Sequence, residues 1–321
     1  MISTRTYVVG RYILGVPIVV HPATRADKWK AELTAALPNE ELWFWPDAGD
    51  PADVEYVIAW VMSRKHLAMF TNLKAIFSLG AGTEQWQKPG IDVPVVRLAD
   101  PAMANEMASY CVAWVVRHHR GFAEAERLQR ATEWKIPDRK LTAEFRVGVL
   151  GYGEIGSTIG RAFTSLGYPV NAWTRSGRKD TTVTHYAGEV ELENFLASSD
   201  AIINVLPSTD ATIGLLNADR LAQCSPGAFF VNVGRGAVLG SEDELVAALD
   251  HGPLAAAVLD VTNPEPPLAE SPLFQHPAVT LTAHISGTTQ VRSAAQLIAA
   301  NVGRLRAGEA AFPLLDRGRG Y

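Results

Sequence analysis

The sequence predicts an α/β protein made of two doubly wound parallel-sheet domains with a cleft between them. Three observations carry that expectation. Apolar strand-like runs alternate with helical runs in two separate series, the pattern of parallel strands joined by helical crossovers. At 321 residues the chain exceeds the roughly 250 to 300 at which a single hydrophobic core stops growing. A Gly-x-Gly-x-x-Gly motif, Gly151 to Gly156, stands between the first strand and the first helix of the second series, the one setting in which such a motif has a structural meaning.

The first series runs PIVVH (Pro17 to His21), a helix from Ala26 to Leu37, then ELWFW, EYVIAWV, KAIFSL and VPVVRL. The period then changes. From Ala104 to Arg130 there is no proline, and Met107, Cys111, Trp114 and Val115 recur at helical spacing, so a long helix leaves the first domain. The second series begins at Phe145 with FRVGVL, VNAW, AIINVL, AFFVNV, AAAVLDV and VTLTA, with helices at Ile155 to Leu166 and Glu242 to Asp250. These strands are apolar throughout, as strands buried on both faces are. A last helical run, Gln290 to Arg306, follows the final strand and is expected to cross back. The expected domains are therefore a flavodoxin-like substrate domain, 1–104 with 285–321, and a Rossmann nucleotide domain, 105–284.

Composition narrows the class. With 47% hydrophobic and 20% charged residues and a net charge of −5, the chain reads as a soluble globular protein with no nucleic-acid partner. Cys111 and Cys224 are its only cysteines, which excludes a disulfide framework and fits a reducing compartment. No apolar stretch reaches the roughly 18 residues of a membrane span. The start has arginines and a mildly apolar run but no clean cleavage site, and it leads straight into the first strand. Residues before Val16 read as an extension, and the expected location is the cytoplasm.

Strand FRVGVL feeds directly into Gly151, Tyr152, Gly153, Glu154, Ile155 and Gly156. In such a loop the first glycine permits a tight turn, the second lets backbone approach a pyrophosphate, and the third lets the helix pack close. The helix N-terminus offers free N–H groups to the phosphates. An NAD-selective loop carries an acid about 20 residues further on. Here strand VNAW ends instead in Thr174, Arg175, Ser176, Gly177, Arg178 and Lys179. A guanidinium there suits a 2'-phosphate, so NADP(H) is the expected coenzyme, with NAD(H) as the secondary one.

Three more strands end in chemistry: Arg235 after AFFVNV, Glu265 after AAAVLDV and His284 after VTLTA. Side chains just past the carboxyl ends of parallel strands face the ligand crevice. Each residue alone has an ordinary reading as a turn arginine, a solvated acid or a core histidine. Together they form an equipped site, in which a carboxylate holds an imidazole, the imidazole moves a proton, and a guanidinium forks onto a carboxylate. Gly234 and Gly236 are expected to let backbone approach a ligand, and Pro264, Pro266 and Pro267 to stiffen the glutamate loop. No His/Cys/acid spacing resembles a metal site, and no Gly-x-Ser-x-Gly supports a hydrolase.

SLGAGTEQ, VGVLGYGEIG, NVLPSTDAT, FFVNVGRGAV, VLDVTNPEPP, TAHISG and the terminal DRGRGY together resemble the D-isomer-specific 2-hydroxyacid dehydrogenases over nearly the whole chain, most of all their NADPH-linked glyoxylate/hydroxypyruvate reductase A group. The resemblance implies a triad of Arg235, Glu265 and His284. It implies cofactor contacts at Gly151, Gly153, Glu154, Ile155, Gly156, Thr174, Arg175, Ser176, Leu206, Pro207, Val233, Gly234, Asp260 and Ser286. It also implies a substrate bound by Gly80, Ala81, Gly82, Arg235 and His284, its carboxylate held partly by the backbone N–H groups of Ala81 and Gly82 and its carbonyl oxygen receiving a proton from His284; a homodimer is expected. Two positions depart from the family: Ala283 stands where proline is usual before the histidine, and Thr262 where an aromatic is common.

The expected reaction is NADPH-dependent reduction of a small 2-oxo acid, glyoxylate or hydroxypyruvate. The alternatives are a larger 2-oxo acid, formate oxidation, or a non-catalytic NAD(H) sensor on the same fold. Formate has no hydroxyl to protonate, so Glu265 and His284 argue against it. Trp43, Trp45, Trp60 and Trp86 crowd the first domain near its strand ends, where bulky rings would restrict the space beside the keto carbon or else fill the core.

Overall fold

The computed structural model describes residues 16–87, 90–136, 138–177 and 182–320. The N-terminal extension and the basic pair Arg178 and Lys179 lie outside the described residues. The chain divides into two compact units, one ending at Asp100 and resuming at Thr289, the other Pro101–Thr288. The chain passes between the units after Asp100 and after Thr288, whereas the expected boundaries were 104 and 284.

In the first unit the elements are β1 (Ile18–His21), α1 (Ala26–Ala36), β2 (Leu42–Phe44), β3 (Tyr56–Ala59), α2 (Arg64–Leu67), β4 (Ala75–Ser78) and β5 (Val95–Val96). Among the described residues its sheet runs β2-β1-β3-β4-β5, with every pair parallel. The strand order reverses between β1 and β3, and in such sheets ligands bind beyond the carboxyl ends at that reversal. Strands β3 and β4 are buried along their whole length, which is why they read as continuous apolar runs.

The second unit holds α3 (Pro101–His119), α4 (Phe122–Arg130), β6 (Val147–Leu150), α5 (Glu154–Ser165), β7 (Val170–Thr174), β8 (Thr184–Ala187), α6 (Leu192–Ala197) and β9 (Ala201–Asn204). It continues with α7 (Ala218–Leu221), β10 (Ala228–Asn232), α8 (Glu242–Asp250), β11 (Leu254–Leu259) and β12 (Val279–Leu281). Its parallel sheet runs β12-β11-β10-β9-β6-β7-β8, reversing between β6 and β9. Helices α3 and α5 cover one face through Met107, Cys111, Val115, Ile159 and Phe163.

Two expectations need correction. The single long helix of 104–130 is two helices, α3 starting already at Pro101, where proline suits a first turn. It is interrupted at Gly121, whose φ of 66° lies in the left-handed region that a residue without Cβ enters freely. Strand β8 was absent from the expected series. It is an edge strand with no buried residue, so it lacks the apolar run by which its neighbours announce themselves.

The last helix, α9 (Val291–Arg306), belongs to the first unit. Val291, Ala295, Ile298 and Val302 pack with Trp29 and Leu33 of α1 over β1 and β3. Each large apolar side chain buried this way contributes about 1.5–3 kcal/mol. At the helix end Arg306 donates to Glu55 Oε2 (2.6 Å), Glu40 Oε2 (2.8 Å) and the carbonyl of Val16 (2.9 Å). The C-terminal segment thereby packs into the unit formed by the first hundred residues.

Candidate active site

The glycine loop follows β6 and opens α5. Gly151 has φ of 102°, so the first glycine is demanded by conformation. A Cβ on Gly156 would stand 1.9 Å from the carbonyl oxygen of Gly151, so the third is demanded by packing. A Cβ on Gly153 would meet nothing within 4 Å. The protein itself does not require a glycine there, and the open space fits a pyrophosphate at the N-terminus of α5. The hydroxyl of Thr174, at the end of the neighbouring β7, is buried with no partner among the described residues, a further group that a bound nucleotide would satisfy. Arg175 and Ser176 are exposed beside it. Across the strand-order reversal, Leu206 Cδ2 would be 3.0 Å from a Cβ on Gly151, which sets Leu206 and Pro207 at the same loop. Glu154 and Ile155 form the first turn of α5, and Val233 is buried after β10.

The three chemical residues follow adjacent strands β10, β11 and β12. His284 and Glu265 meet, with Nδ1 2.6 Å from Oε1, while both side chains remain about half exposed. Arg235 is partly buried, and one terminal nitrogen donates to the carbonyl of Gly234 at 2.7 Å. The glycines flanking Arg235 serve the protein's own packing. A Cβ on Gly236 would stand 2.0 Å from the carbonyl carbon of Thr262, and one on Gly234 would stand 2.6 Å from the carbonyl oxygen of Leu206. The absent side chains bring the loops after β9, β10 and β11 into contact.

In the first unit the loop Gly80–Gly82 follows β4. Ser78, buried in the strand end, donates its hydroxyl to the carbonyl of Gly80 at 2.9 Å, and Gln85 Nε2 reaches the carbonyl of Gly82 at 3.3 Å. Among the described residues no protein acceptor takes the N–H of Ala81 or Gly82, which leaves two backbone donors at the ligand end of this sheet.

Residues 112–286 match the model of the D-isomer specific 2-hydroxyacid dehydrogenase NAD binding domain. The chain is 36% identical over 312 residues to glyoxylate/hydroxypyruvate reductase A of Serratia proteamaculans (strain 568), spanning 95% of this chain and 99% of that protein. The chain belongs to the D-isomer specific 2-hydroxyacid dehydrogenase family. Among solved structures it is similar to a D-isomer specific 2-hydroxyacid dehydrogenase from Xanthobacter autotrophicus Py2 in complex with NADPH and MES, with TM-score 0.91, 37% identity, and 96% of this chain and 100% of that one covered. It is also similar to the NADPH-dependent glyoxylate/hydroxypyruvate reductase of Sinorhizobium meliloti in complex with NADP and sulfate, with TM-score 0.88, 28% identity, and 95% and 99% covered.

In this dehydrogenase several residues that hold the site escaped the sequence reading. Asn204 and Asn232, both fully buried, end β9 and β10, and Asn204 Nδ2 donates to Asn232 Oδ1 at 2.8 Å. Asn204 Oδ1 accepts from the N–H of Leu206 and Asn232 Oδ1 from that of Gly234, each at 3.2 Å, and Asn232 Nδ2 donates to the carbonyl of Arg235 at 3.1 Å. The amide pair thus shapes both loops. A second clamp holds His284, whose φ of 52° is an unfavourable conformation for a residue with a Cβ. Its N–H donates to the carbonyl of Asp260 at 3.0 Å. The buried carboxylate of Asp260 accepts from the N–H of Ile285 and of Ser286, each at 2.8 Å, and from the hydroxyl of Thr282 at 2.6 Å. Tyr110 OH lies 2.6 Å from Thr282 Oγ1. Thr282 has one hydroxyl hydrogen and gives it to Asp260, so Tyr110 is the donor. Burial pushes the Tyr110 phenol up to about 12, which keeps that donor protonated. Asp260 and Ser286, expected at the cofactor, are joined to each other in this clamp.

The remaining histidines on α3 are structural. His119 is bonded to Tyr168 OH and to the carbonyl of Lys140, both at 2.9 Å, and His118 stacks on Phe229 at 4.3 Å. Both cysteines are buried, and burial pushes the thiol of Cys224 up to about 12 and that of Cys111 well above its ordinary value. Neither has the thiolate character of a nucleophile.

Proposed function

We propose that this dehydrogenase reduces small 2-oxo acids, glyoxylate and hydroxypyruvate, to 2-hydroxy acids with NADPH, NADH being the weaker coenzyme. The bond between His284 Nδ1 and Glu265 Oε1 carries the reading. A carboxylate only accepts, so the imidazole donates through Nδ1 and presents Nε2 to the substrate. From Nε2 a proton passes to the carbonyl oxygen as the C2 alkoxide forms, and in the reverse direction Nε2 takes the hydroxyl proton. Arg235 forks onto the substrate carboxylate and polarises the carbonyl. The free N–H groups of Ala81 and Gly82 are proposed to hold the same carboxylate.

Gly151, Gly153 and Gly156 with the start of α5 would hold the pyrophosphate, Thr174, Arg175 and Ser176 the adenosine ribose and its 2'-phosphate, and Leu206, Pro207, Val233, Gly234, Asp260 and Ser286 the remainder. When bound, the coenzyme supplies the hydride. The related proteins described above with NADPH or NADP support this assignment.

We also propose a cytoplasmic homodimer. No described helix is long and apolar enough to cross a membrane. Trp134 is 99% and Ile136 90% exposed, with Leu141 also exposed nearby; a second copy of the chain covering this stretch accounts for such an apolar surface. Light scattering on the wild type and on Trp134→Ser should report a dimer and its weakening, and a wild-type monomer at micromolar concentration refutes that part. The activity is tested by following NADPH absorbance with a panel of 2-oxo acids. Glyoxylate and hydroxypyruvate should lead, and an absence of turnover with every acid overturns the reading.

A further inference from the structure

The terminal DRGRGY lies outside the proposed chemistry. The residues leading into it cover the edge of the first sheet. Leu314 bridges Val96 of β5 antiparallel, with the N–H of Arg97 on the carbonyl of Pro313 and that of Leu315 on the carbonyl of Val95, each at 2.8 Å. The chain then turns on Asp316, whose Oδ1 accepts from the N–H of Gly318 at 2.9 Å and of Arg319 at 3.1 Å. From this turn Arg317 reaches back into the unit. One terminal nitrogen donates to the carbonyl of Trp86 at 3.0 Å and the other to that of Val93 at 3.2 Å, while Gln87 donates to the carbonyl of Gly320.

Trp86 carries this fastening inward. Of Trp43, Trp45, Trp60 and Trp86 it alone is fully buried, and its indole N–H donates to Ser78 Oγ at 3.3 Å. Ser78, also buried, gives its one hydroxyl hydrogen to the carbonyl of Gly80 at 2.9 Å, and the same oxygen accepts from the N–H of Gly80 at 3.4 Å. The hydroxyl's single donor and both lone pairs are thus in use. The carbonyl of Gly80 and the N–H of Ala81 belong to one rigid peptide plane, and in a trans peptide they point in opposite directions. Holding the Gly80 oxygen against buried Ser78 therefore turns the Ala81 N–H outward, where it meets no protein acceptor among the described residues.

We infer that the C-terminal segment positions the carboxylate loop: Arg317 fixes Trp86, Trp86 fixes Ser78, and Ser78 aims the N–H of Ala81 at the substrate carboxylate. The inference rests on the proposed reading, in which that N–H holds the carboxylate. Arg317, Trp86 and Ser78 act through one another and the loop, as positioning residues. The charge of the carboxylate does not change as C2 is reduced, so a donor to it binds ground state and transition state alike. Losing its aim raises KM for the acid and leaves kcat nearly as it was. The coenzyme is assigned to residues of the second unit, so KM for NADPH should not follow.

Steady-state kinetics on the full chain, varying glyoxylate and then NADPH, compares the wild type with Ser78→Ala, Arg317→Ala and Arg317→Lys. KM for glyoxylate should rise about tenfold in Ser78→Ala, the scale of one hydrogen bond to a charged group, and at least about threefold in the more remote Arg317→Ala. Arg317→Lys, which keeps a donor, should fall between Arg317→Ala and the wild type, and kcat and KM for NADPH should stay within about twofold throughout. A glyoxylate KM that does not move in either alanine variant overturns the inference. So does an equal rise in both KM values, which marks general loosening, or a lysine variant no better than the alanine one. Arg317 is exposed and its replacement opens no core, so if thermal unfolding shows that Ser78→Ala does not fold, Arg317→Ala decides. A wild type that does not reduce glyoxylate overturns the proposed reading and the inference together.

Discussion

Replacing Thr282 by valine, nearly the same shape, removes the hydroxyl that joins Tyr110 to Asp260. The Thr282 hydroxyl gives its hydrogen to Asp260 Oδ1 at 2.6 Å and accepts from Tyr110 at 2.6 Å. Loss of a hydrogen bond to a carboxylate costs about 1.5–3 kcal/mol, and the Tyr110 hydroxyl hydrogen left without its acceptor costs about 1–3 more, before local rearrangement recovers some of it. Asp260 then keeps the N–H groups of Ile285 and Ser286 but loses the contact that orients its carboxylate. The cost falls on the segment that carries His284 in its left-handed conformation. A tenth of the rate corresponds to about 1.4 kcal/mol, so if about half of the lost energy had held the imidazole in register, kcat falls about tenfold. The KM for NADPH should change less, and Thr282→Ser should restore most of kcat because it restores the hydroxyl. Steady-state kinetics with glyoxylate, alongside urea unfolding, measures both effects. A Thr282→Val enzyme with wild-type kcat, or a serine variant as slow as the valine one, refutes the argument that this chain of hydroxyls sets the histidine.

Arg175→Asp should cost NADPH at least about tenfold in kcat/KM, since a charge-assisted bond to phosphate is worth roughly 1.5–3 kcal/mol; equal use of both coenzymes by the wild type contradicts the role. Glu265→Gln replaces a carboxylate that can only accept from Nδ1 by an amide that can also donate to it, so the tautomer presenting Nε2 to the substrate is no longer enforced and kcat should fall about tenfold or more; wild-type kcat in that variant, or robust turnover by His284→Ala, removes the proposed acid. In the first unit, burial pushes the Glu55 carboxyl up, but hydrogen bonds and charge from Lys74 and Arg306 outweigh it and hold the group below its ordinary 4.5. A depressed carboxyl stabilises the fold above that ordinary value and loses the contribution as pH falls through its folded value. The wild type should therefore exceed Arg306→Gln by about 2 kcal/mol at pH 7, between exposed and buried pairs, and the gap measured by urea unfolding should narrow below about pH 4.5; a gap constant down to pH 3 speaks against the pairing.

What was legible in the sequence follows from where each residue sits. Strands β6, β9 and β10 are buried throughout, so their apolar runs stood out, and the side chains just past their ends were placed by position alone. Strand β8 is an exposed edge with a polar sequence and offered no such run. The break between α3 and α4 rests on one glycine with φ of 66°, and an isolated glycine in a helical pattern is as often tolerated as not. The rings of Trp43, Trp45, Trp60 and Trp86 could not be sorted from sequence, because core and surface tryptophans at strand ends have the same neighbours along the chain.

The residues missed altogether share one property: they are polar, buried, and act through backbone. Asn204 and Asn232 each precede a valine at the end of a buried strand, in AIINVL and AFFVNV. An amide inside an apolar run must find partners, because leaving it unpaired in the interior costs several kcal/mol. Its presence was therefore a readable signal that the loop beyond the strand is hydrogen-bonded back to it. The identity of the partner was not readable, since the pairing of Asn204 with Asn232 follows from the adjacency of β9 and β10 in the sheet. The same holds for Asp260 and Thr282 at the ends of β11 and β12, which are neighbours as well. The proposed reactive groups were thus visible one strand at a time, whereas the groups that fix the geometry of their loops join strands in pairs and come into view only with the order of the sheet.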